Sequence, residues 1–375
     1  MTRKRIIIIG AGKIGSTIFQ FLSVFPALEL ILADHDTCAL SAIKTKKSNT
    51  RQLDKACDFN QIFQQEKYDG VINAGPYFLS IPIAQAAMNH GLSYFDLTED
   101  VASCEFIQRL ALDCNSNQQF IPQCGLAPGF ISILARELYD QFETLESVQL
   151  RVGALPQFPT NQMLYNLTWS TAGLINEYCN LCQSIDQGKT VVQTALENKE
   201  VFSLEGIEYE AFNTSGGVGT LTQTLAGKVE QLNYKTVRYP GHRDLMKFLL
   251  KDLKFHQLEK RDQLVQLLDN SIPMTTQDMV LIMVTVTGQI KQSQTEMKSY
   301  QQLTELRRIY PQNIDLPYYG LQNYSAIQVC TAASLCALVE LWLKQKFKTS
   351  GFIRQESIAL NDFYQTRYGQ YFLAR

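Results

Sequence analysis

A glycine-rich turn set between a strand and a helix constrains this 375-residue chain more than any other feature. Residues 5–10 read as an apolar strand, and Gly10-Ala11-Gly12-Lys13-Ile14-Gly15 follows as a G-x-G-x-x-G. Residues 13–24 then show helical spacing, with Ile14, Ile18, Phe21 and Leu22 on one face. Residues 28–34 form a second apolar run, as a strand buried on both faces should, and it ends in Asp34. Each part has a physical task. Gly10 permits the tight turn, Gly12 lets the backbone approach a pyrophosphate, and Gly15 lets helix and strand pack closely. The helix start, at Lys13 and Ile14, offers unpaired N–H groups and a positive dipole end to the phosphates. Asp34 can accept hydrogen bonds from both ribose hydroxyls and would repel a 2′-phosphate. His35 stands where an NADP enzyme often places arginine. The pattern therefore predicts NAD, in preference to NADP.

The alternation continues. Residues 70–74, 92–96 and 120–122 read as strands, with a helix over 81–90, so the first part is a doubly wound parallel sheet. After Gly129 the pattern changes to a helix over 131–142 and alternating strands over 147–155, 208–212, 235–239 and 279–287. Such strands imply a mainly antiparallel sheet with helices on one side. Residues 291–302 are polar and Gln-rich, a surface hairpin or loop. An apolar helix over 325–347 is expected to return to the first domain. The predicted organisation is a Rossmann domain of residues 1–124 plus about 325–375, interrupted by an inserted α+β domain of residues 125–324.

Composition removes other classes. Net charge is -2 with acids and bases interspersed, so no basic stripe is available for nucleic acid. The apolar run at residues 6–9 is too short for a signal peptide. The run at 330–343 is broken by Thr331, Ser334 and Glu340, so no membrane span is expected. Nine cysteines at irregular spacing read as reduced thiols of a cytoplasmic protein. Cys179 and Cys182 form a lone C-x-x-C, read as two ordinary cysteines rather than a metal site.

Further motifs occur in order: Gly70-Val71-Ile72-Asn73-Ala74-Gly75-Pro76-Tyr77, Tyr94-Phe95-Asp96-Leu97-Thr98, Cys124-Gly125-Leu126-Ala127-Pro128-Gly129, Val152-Gly153-Ala154-Leu155-Pro156, Leu167-Thr168-Trp169-Ser170 with Gly173-Leu174-Ile175, and Arg238-Tyr239-Pro240-Gly241-His242. Together they resemble the saccharopine dehydrogenase family, most closely its lysine 6-dehydrogenase branch, across about residues 5–245. The resemblance implies a Rossmann domain completed by C-terminal helices, with an inserted domain carrying much of the substrate site and serving a homodimer. It implies NAD-dependent oxidation of an amine, in the lysine branch that of L-lysine. The saccharopine-using members carry an arginine near position 172, where this chain has Ala172, which cannot grip a carboxylate. A saccharopine- or carboxynorspermidine-type reaction in the reductive direction is the alternative, and a catalytically silent NAD-binding protein a third.

Candidate residues follow. Ala74, Gly75 and Pro76 should border the cofactor, and Tyr77 the nicotinamide and substrate. His242, within a family motif and with an ordinary pKa of about 6.5, is a candidate base, or else a buttress of the Pro240-Gly241 turn. Asp96, at a strand end, could bind the substrate amine or assist proton transfer, or serve helix capping together with Asp100. Arg238 could hold a substrate α-carboxylate or pair with a surface acid. Trp169 walls the pocket or fills a core, and Gly216 lies in a variable substrate-side patch over 214–219.

Overall fold

The computed structural model describes residues 3–43, 49–291, 299–311, 324–347 and 349–373. It divides into two compact units, one of Met1–Phe130 with Val329–Leu373 and one built on Ile131–Gln328.

In the first unit the strands are β1 (Lys4–Ile9), β2 (Leu28–Asp34), β3 (Thr50–Gln52), β4 (Gly70–Asn73), β5 (Ser93–Asp96) and β6 (Gln119–Ile121). Between them run α1 (Lys13–Leu22), α2 (Thr37–Ser41), α3 (Phe59–Gln65), α4 (Ser80–His90) and α5 (Val101–Leu110). The sheet order is β3-β2-β1-β4-β5-β6, extended beyond β6 by a late strand at Gly351–Phe352, and every pairing is parallel. Ile6 to Ile9 are at most 3% exposed, which is why this strand reads as a continuous apolar run. The order reverses between β1 and β4, and in open sheets of this kind ligands bind at such a switch point, beyond the C-terminal strand ends.

The second unit holds α6 (Phe130–Tyr139) from Ile131 on, then β7 (Phe142–Pro156), α7 (Thr171–Cys179), β8 (Cys182–Asp186), β9 (Lys189–Gln193), β10 (Glu200–Leu204) and β11 (Ile207–Asn213). It continues with α8 (Leu221–Leu225), β12 (Val229–Arg238), α9 (His242–Lys247), α10 (Leu258–Ser271), β13 (Asp278–Ile290) and β14 (Tyr300–Ile309). The sheet runs β10-β11-β12-β7-β13-β14, with β8 on β12 and β9 on β8. Only β12 and β7 pair in parallel; the other named pairs are antiparallel. One face carries α7, α9 and α10, through Leu174, Ile175, Met246, Leu264 and Leu268 packed with Phe212. Of the polar stretch read as a hairpin or loop over 291–302, residues 300–302 belong to β14. Its residues 292–298 lie outside the described residues.

The chain returns through α11 (Ala326–Leu343), whose residues from Val329 on belong to the first unit. This helix is long and apolar enough to cross a membrane by length and composition, but 83% of it is buried in the fold. It is apolar all round because it is a core helix. In the first unit Trp342 meets Phe95 edge-on at 5.8 Å, and Trp342 also lies against Gly70. After it come β15 (Gly351–Phe352) and α12 (Leu360–Tyr364), where Phe363 and Phe372 close over Phe130 with ring centroids 5.2 and 4.1 Å away.

Candidate functional site

The residues read from the sequence as cofactor-binding lie at the switch point of the first unit. Gly10 has φ +107°, open only to glycine without strain, and a Cβ there would sit 2.8 Å from the Ala74 carbonyl. A Cβ on Gly15 would lie 1.9 Å from the Gly10 oxygen. The loop, α1 and the end of β4 are therefore in close contact, and Ala74, whose Cβ would lie 3.1 Å from one on Gly15, must be small for the same reason. Gly12 differs. It caps α1, no side chain caps that helix end, and nothing lies within 4 Å of the position a Cβ would take. Among the described residues, no atom demands a glycine at Gly12. The open space over an uncapped helix start at Lys13 and Ile14 fits the approach of a dinucleotide pyrophosphate.

Asp34 ties the two halves of this region together. Its Oδ2 accepts from the Ala11 N–H at 2.6 Å, and its Oδ1 accepts from the Asp36 N–H at 2.9 Å. The His35 ring Nδ1 lies 2.9 Å from the same Oδ1. The carboxylate that would bind the ribose is thus oriented by the phosphate loop itself. On the other side Asn73, which the sequence reading passed over, accepts from Gly75 N–H at 3.0 Å and donates to Ser80 Oγ at 3.1 Å, shaping the turn into Pro76. Tyr77 opens a short 3-10 turn there and is 39% exposed.

Asp96 is placed otherwise than the sequence suggested. It is fully buried, and its carboxylate faces three internal donors: the Tyr94 hydroxyl at 2.8 Å, the Gln123 N–H at 2.8 Å and the Thr98 N–H at 3.1 Å. Burial pushes its pKa up to about 6, opposed by those hydrogen bonds. It latches the ends of β5 and β6 from a fully buried position. Capping of α5 belongs to Asp100 alone, which accepts from Ser103 N–H at 2.8 Å.

In the second unit the motif ending β12 and opening α9 gathers a buried polar cluster. Arg238 is 3% exposed. Its Nη1 donates to the Val237 carbonyl at 2.9 Å, and its guanidinium lies over the Tyr165 ring at 5.2 Å. Its Nε has no hydrogen-bond partner among the described residues. The contrast is Arg151, as deeply buried, which pairs with Glu200, itself held by Lys235 at 2.6 Å. No such ion pair is found for Arg238 among the described residues. Burial opposes its charge, while Tyr178, Tyr165 and Glu177 nearby favour it, and the balance holds its pKa above the ordinary value.

His242 is fully buried, with Nδ1 3.2 Å from the Met163 carbonyl and Nε2 3.1 Å from the Tyr178 hydroxyl. Burial, followed by the neighbouring Arg238, pushes its pKa down to about 3. An imidazole with its acceptor nitrogen already engaged and its protonation so disfavoured is a poor base near neutrality. In this structure His242 lies buried and neutral within the cluster, at the Pro240-Gly241 turn. Trp169 is half-buried, and its ring fills the space beside Gly173, where a Cβ would lie 2.6 Å away; it covers the first turn of α7. Ala172 is exposed. Gly216 takes φ +84° in a buried loop whose next residue, Gly217, abuts the Tyr234 ring. Tyr165 and Tyr178 were not singled out from sequence. Nothing local marks them, because the residues that give them meaning lie more than sixty positions further along the chain.

Residues 6–121 match the saccharopine dehydrogenase NADP binding domain, and residues 125–369 match the saccharopine dehydrogenase C-terminal domain. The chain belongs to the saccharopine dehydrogenase family. It is accordingly a dehydrogenase with a dinucleotide, NAD(P), as cofactor. Among curated proteins it is 23% identical over 208 residues to the mitochondrial alpha-aminoadipic semialdehyde synthase of Rattus norvegicus, with 51% of this chain and 21% of that protein covered. The corresponding protein of Mus musculus is also 23% identical. The chain thus spans about a fifth of the length of the curated relatives it matches. Among solved structures, apo saccharopine dehydrogenase (L-Glu forming) from Saccharomyces cerevisiae is 14% identical at a TM-score of 0.72, covering 96% of this chain and 95% of that one. The homospermidine synthase of Legionella pneumophila, solved with NAD, is 13% identical at a TM-score of 0.64, covering 99% and 90%. At such identities these two likenesses speak for the fold.

Proposed function

We propose that this dehydrogenase oxidises the terminal amine of L-lysine, or of an amino acid close to it, with NAD, and that Arg238 receives the substrate α-carboxylate. The observation that carries the reading is the buried guanidinium of Arg238, for which no ion pair is found among the described residues. Leaving a buried cation without its counter-ion costs several kcal/mol, and a ring face with one carbonyl compensates only in part. A carboxylate supplied by substrate completes the site, with the planar fork of arginine suited to hold it. The exposed Ala172 supplies no second grip, which favours a substrate with one carboxylate over saccharopine, with its additional ones.

NAD is favoured over NADP by Asp34, whose carboxylate at the end of β2 would repel a 2′-phosphate. The protein's part is to hold the substrate carboxylate at Arg238 and to seat the cofactor on Gly10, Gly12 and Gly15. Held by these residues, the dinucleotide would supply a hydride acceptor for the carbon that bears the amine. The amine must arrive neutral, and the resulting imine is hydrolysed by water. NADH fluorescence with a panel of amino acids and polyamines, NADP in parallel, tests this. Arg238→Met should raise KM for lysine about 100-fold with a much smaller change in kcat, because a remote carboxylate contact is alike in ground and transition states. Equal KM in the variant would remove the carboxylate assignment.

A further inference from the structure

The chain leaves β6 in a conformation for which its own packing gives no reason. Two residues past that strand Gln123 takes φ +61°, in the left-handed region, which a residue with a Cβ enters at a cost that glycine would avoid. Of the non-glycine residues held there among the described residues, only Leu196 and Gln123 are buried. Leu196 is packed into an apolar core. Gln123 is 4% exposed, and the one hydrogen bond found for it among the described residues is that of its backbone N–H. Its carboxamide, which can both donate and accept, is thus left unpaired, although neither polar atom is among those closed off from the surface. The fold fixes this backbone firmly. The Asp96 carboxylate accepts from Gln123 N–H at 2.8 Å, and the Asp96 carbonyl accepts from Cys124 N–H at 2.8 Å. On the other side Gln355 Nε2 donates to the Pro122 carbonyl at 2.7 Å. A strained residue held in place by its surroundings, with its polar group idle, points to a side chain aimed at a ligand.

We propose that Gln123 is a nicotinamide-binding residue, its side-chain carboxamide pairing with the carboxamide of the cofactor ring. Position and chemistry agree. The phosphate loop follows β1, and Asp34, the ribose candidate on the adenosine side, ends β2. The nicotinamide half of a dinucleotide then runs the other way, over the ends of β4 and β5 toward β6. Along that edge the turn from Asn73 to Gly75 leaves β4, and Gln123 leaves β6, with β5 between them. Two carboxamides complement each other, because each offers the N–H that the other's oxygen accepts. A carboxylate or an ammonium could make only half of that pair. The inference is independent of which amine the chain oxidises and needs only the dinucleotide.

Gln123→Gly tests this, because glycine takes this φ freely and the variant should melt within about 3 °C of the unaltered chain. The full chain is titrated calorimetrically with three ligands. They are NAD, its acetylpyridine analogue, in which a methyl group replaces the amide nitrogen, and ADP-ribose, which lacks the ring. Expected in Gln123→Gly is about a tenfold loss of affinity for NAD, the range of one hydrogen bond. The analogue, which keeps only the carbonyl, should lose about threefold, and ADP-ribose should bind unchanged. Gln123→Asn also tolerates the left-handed region and withdraws the carboxamide by one methylene, so it should rank the three ligands in the same order. Equal losses for NAD and ADP-ribose in both variants would make Gln123 a packing element and overturn the assignment. Unchanged affinity for NAD, beside a raised KM for the amine substrate, would overturn it in favour of a substrate contact.

Discussion

The burial of Asp96 makes a prediction whose sign and size follow from the structure. The carboxylate is fully buried and its pKa stands at about 6 against an ordinary 3.8. At about 1.4 kcal/mol per unit, the charged form is disfavoured by about 3 kcal/mol in the folded chain. The folded state therefore binds more protons than the unfolded state between about pH 4 and pH 6, and stability falls as pH rises through that window. Asp278, buried at the start of α11 with its pKa also raised to about 6, adds a loss of the same sign. Asp96→Asn isolates the first term. The Asn oxygen can keep the Gln123 and Thr98 N–H groups, and its amide can donate to the Tyr94 oxygen, whose hydrogen is free to turn to the Ser80 carbonyl at 3.3 Å. In urea titrations, Asp96→Asn should match the unaltered chain at pH 4 and exceed it by up to about 3 kcal/mol above pH 7. Asp96→Ala strands two buried N–H groups and should lose about 2–6 kcal/mol at every pH. A difference between Asp96 and Asn that is flat from pH 4 to 7, or an Asn variant as damaged as Ala, would refute the argument.

Gly15→Ala puts a Cβ into the Gly10 carbonyl, 1.9 Å away. It should weaken NADH binding at least about tenfold, read by fluorescence titration, and an unaffected Kd would contradict the packed loop. Asp34→Ser with His35→Arg should shift the ratio of NADP to NAD affinity by about tenfold or more, near 1.4 kcal/mol. Should the unaltered chain bind NADP as tightly as NAD, the reading of Asp34 is wrong. Gly217→Ala would drive a methyl to 2.3 Å from the Tyr234 ring. That substitution should lower the melting temperature of the chain by several degrees, about 1–3 kcal/mol of overpacking.

The first unit was legible because its signals are local. Ile6 to Ile9, the glycines at 10, 12 and 15, and Asp34 report strand, turn, helix and strand end within thirty residues, and β2 spans the same residues in structure and in sequence. In the second unit β7, β11, β12 and β13 were visible from their alternation. The strands β8, β9, β10 and β14 were not. They are short or largely exposed, and β9 is built from Lys189-Thr190-Val191-Val192-Gln193 with no buried face to read. The Arg238 site shows the other limit. Its arginine stood out by residue type, but whether it paired with an acid, and whether His242 could hold a proton, depended on Tyr165, Tyr178 and Met163, brought in from distant segments. An ordinary imidazole pKa is a fair expectation for an unplaced histidine and fails once burial and a neighbouring cation are present.

The most direct test of the central reading is turnover itself. The full chain is mixed with NAD and L-lysine, and NADH is followed by fluorescence, beside Arg238→Met and an equivalent series with NADP. The account predicts NADH formation that saturates in lysine, is weaker with NADP, and in Arg238→Met needs about 100-fold more lysine for the same rate. No NADH from lysine, together with rapid consumption of NADPH by an amine and a semialdehyde, would contradict it.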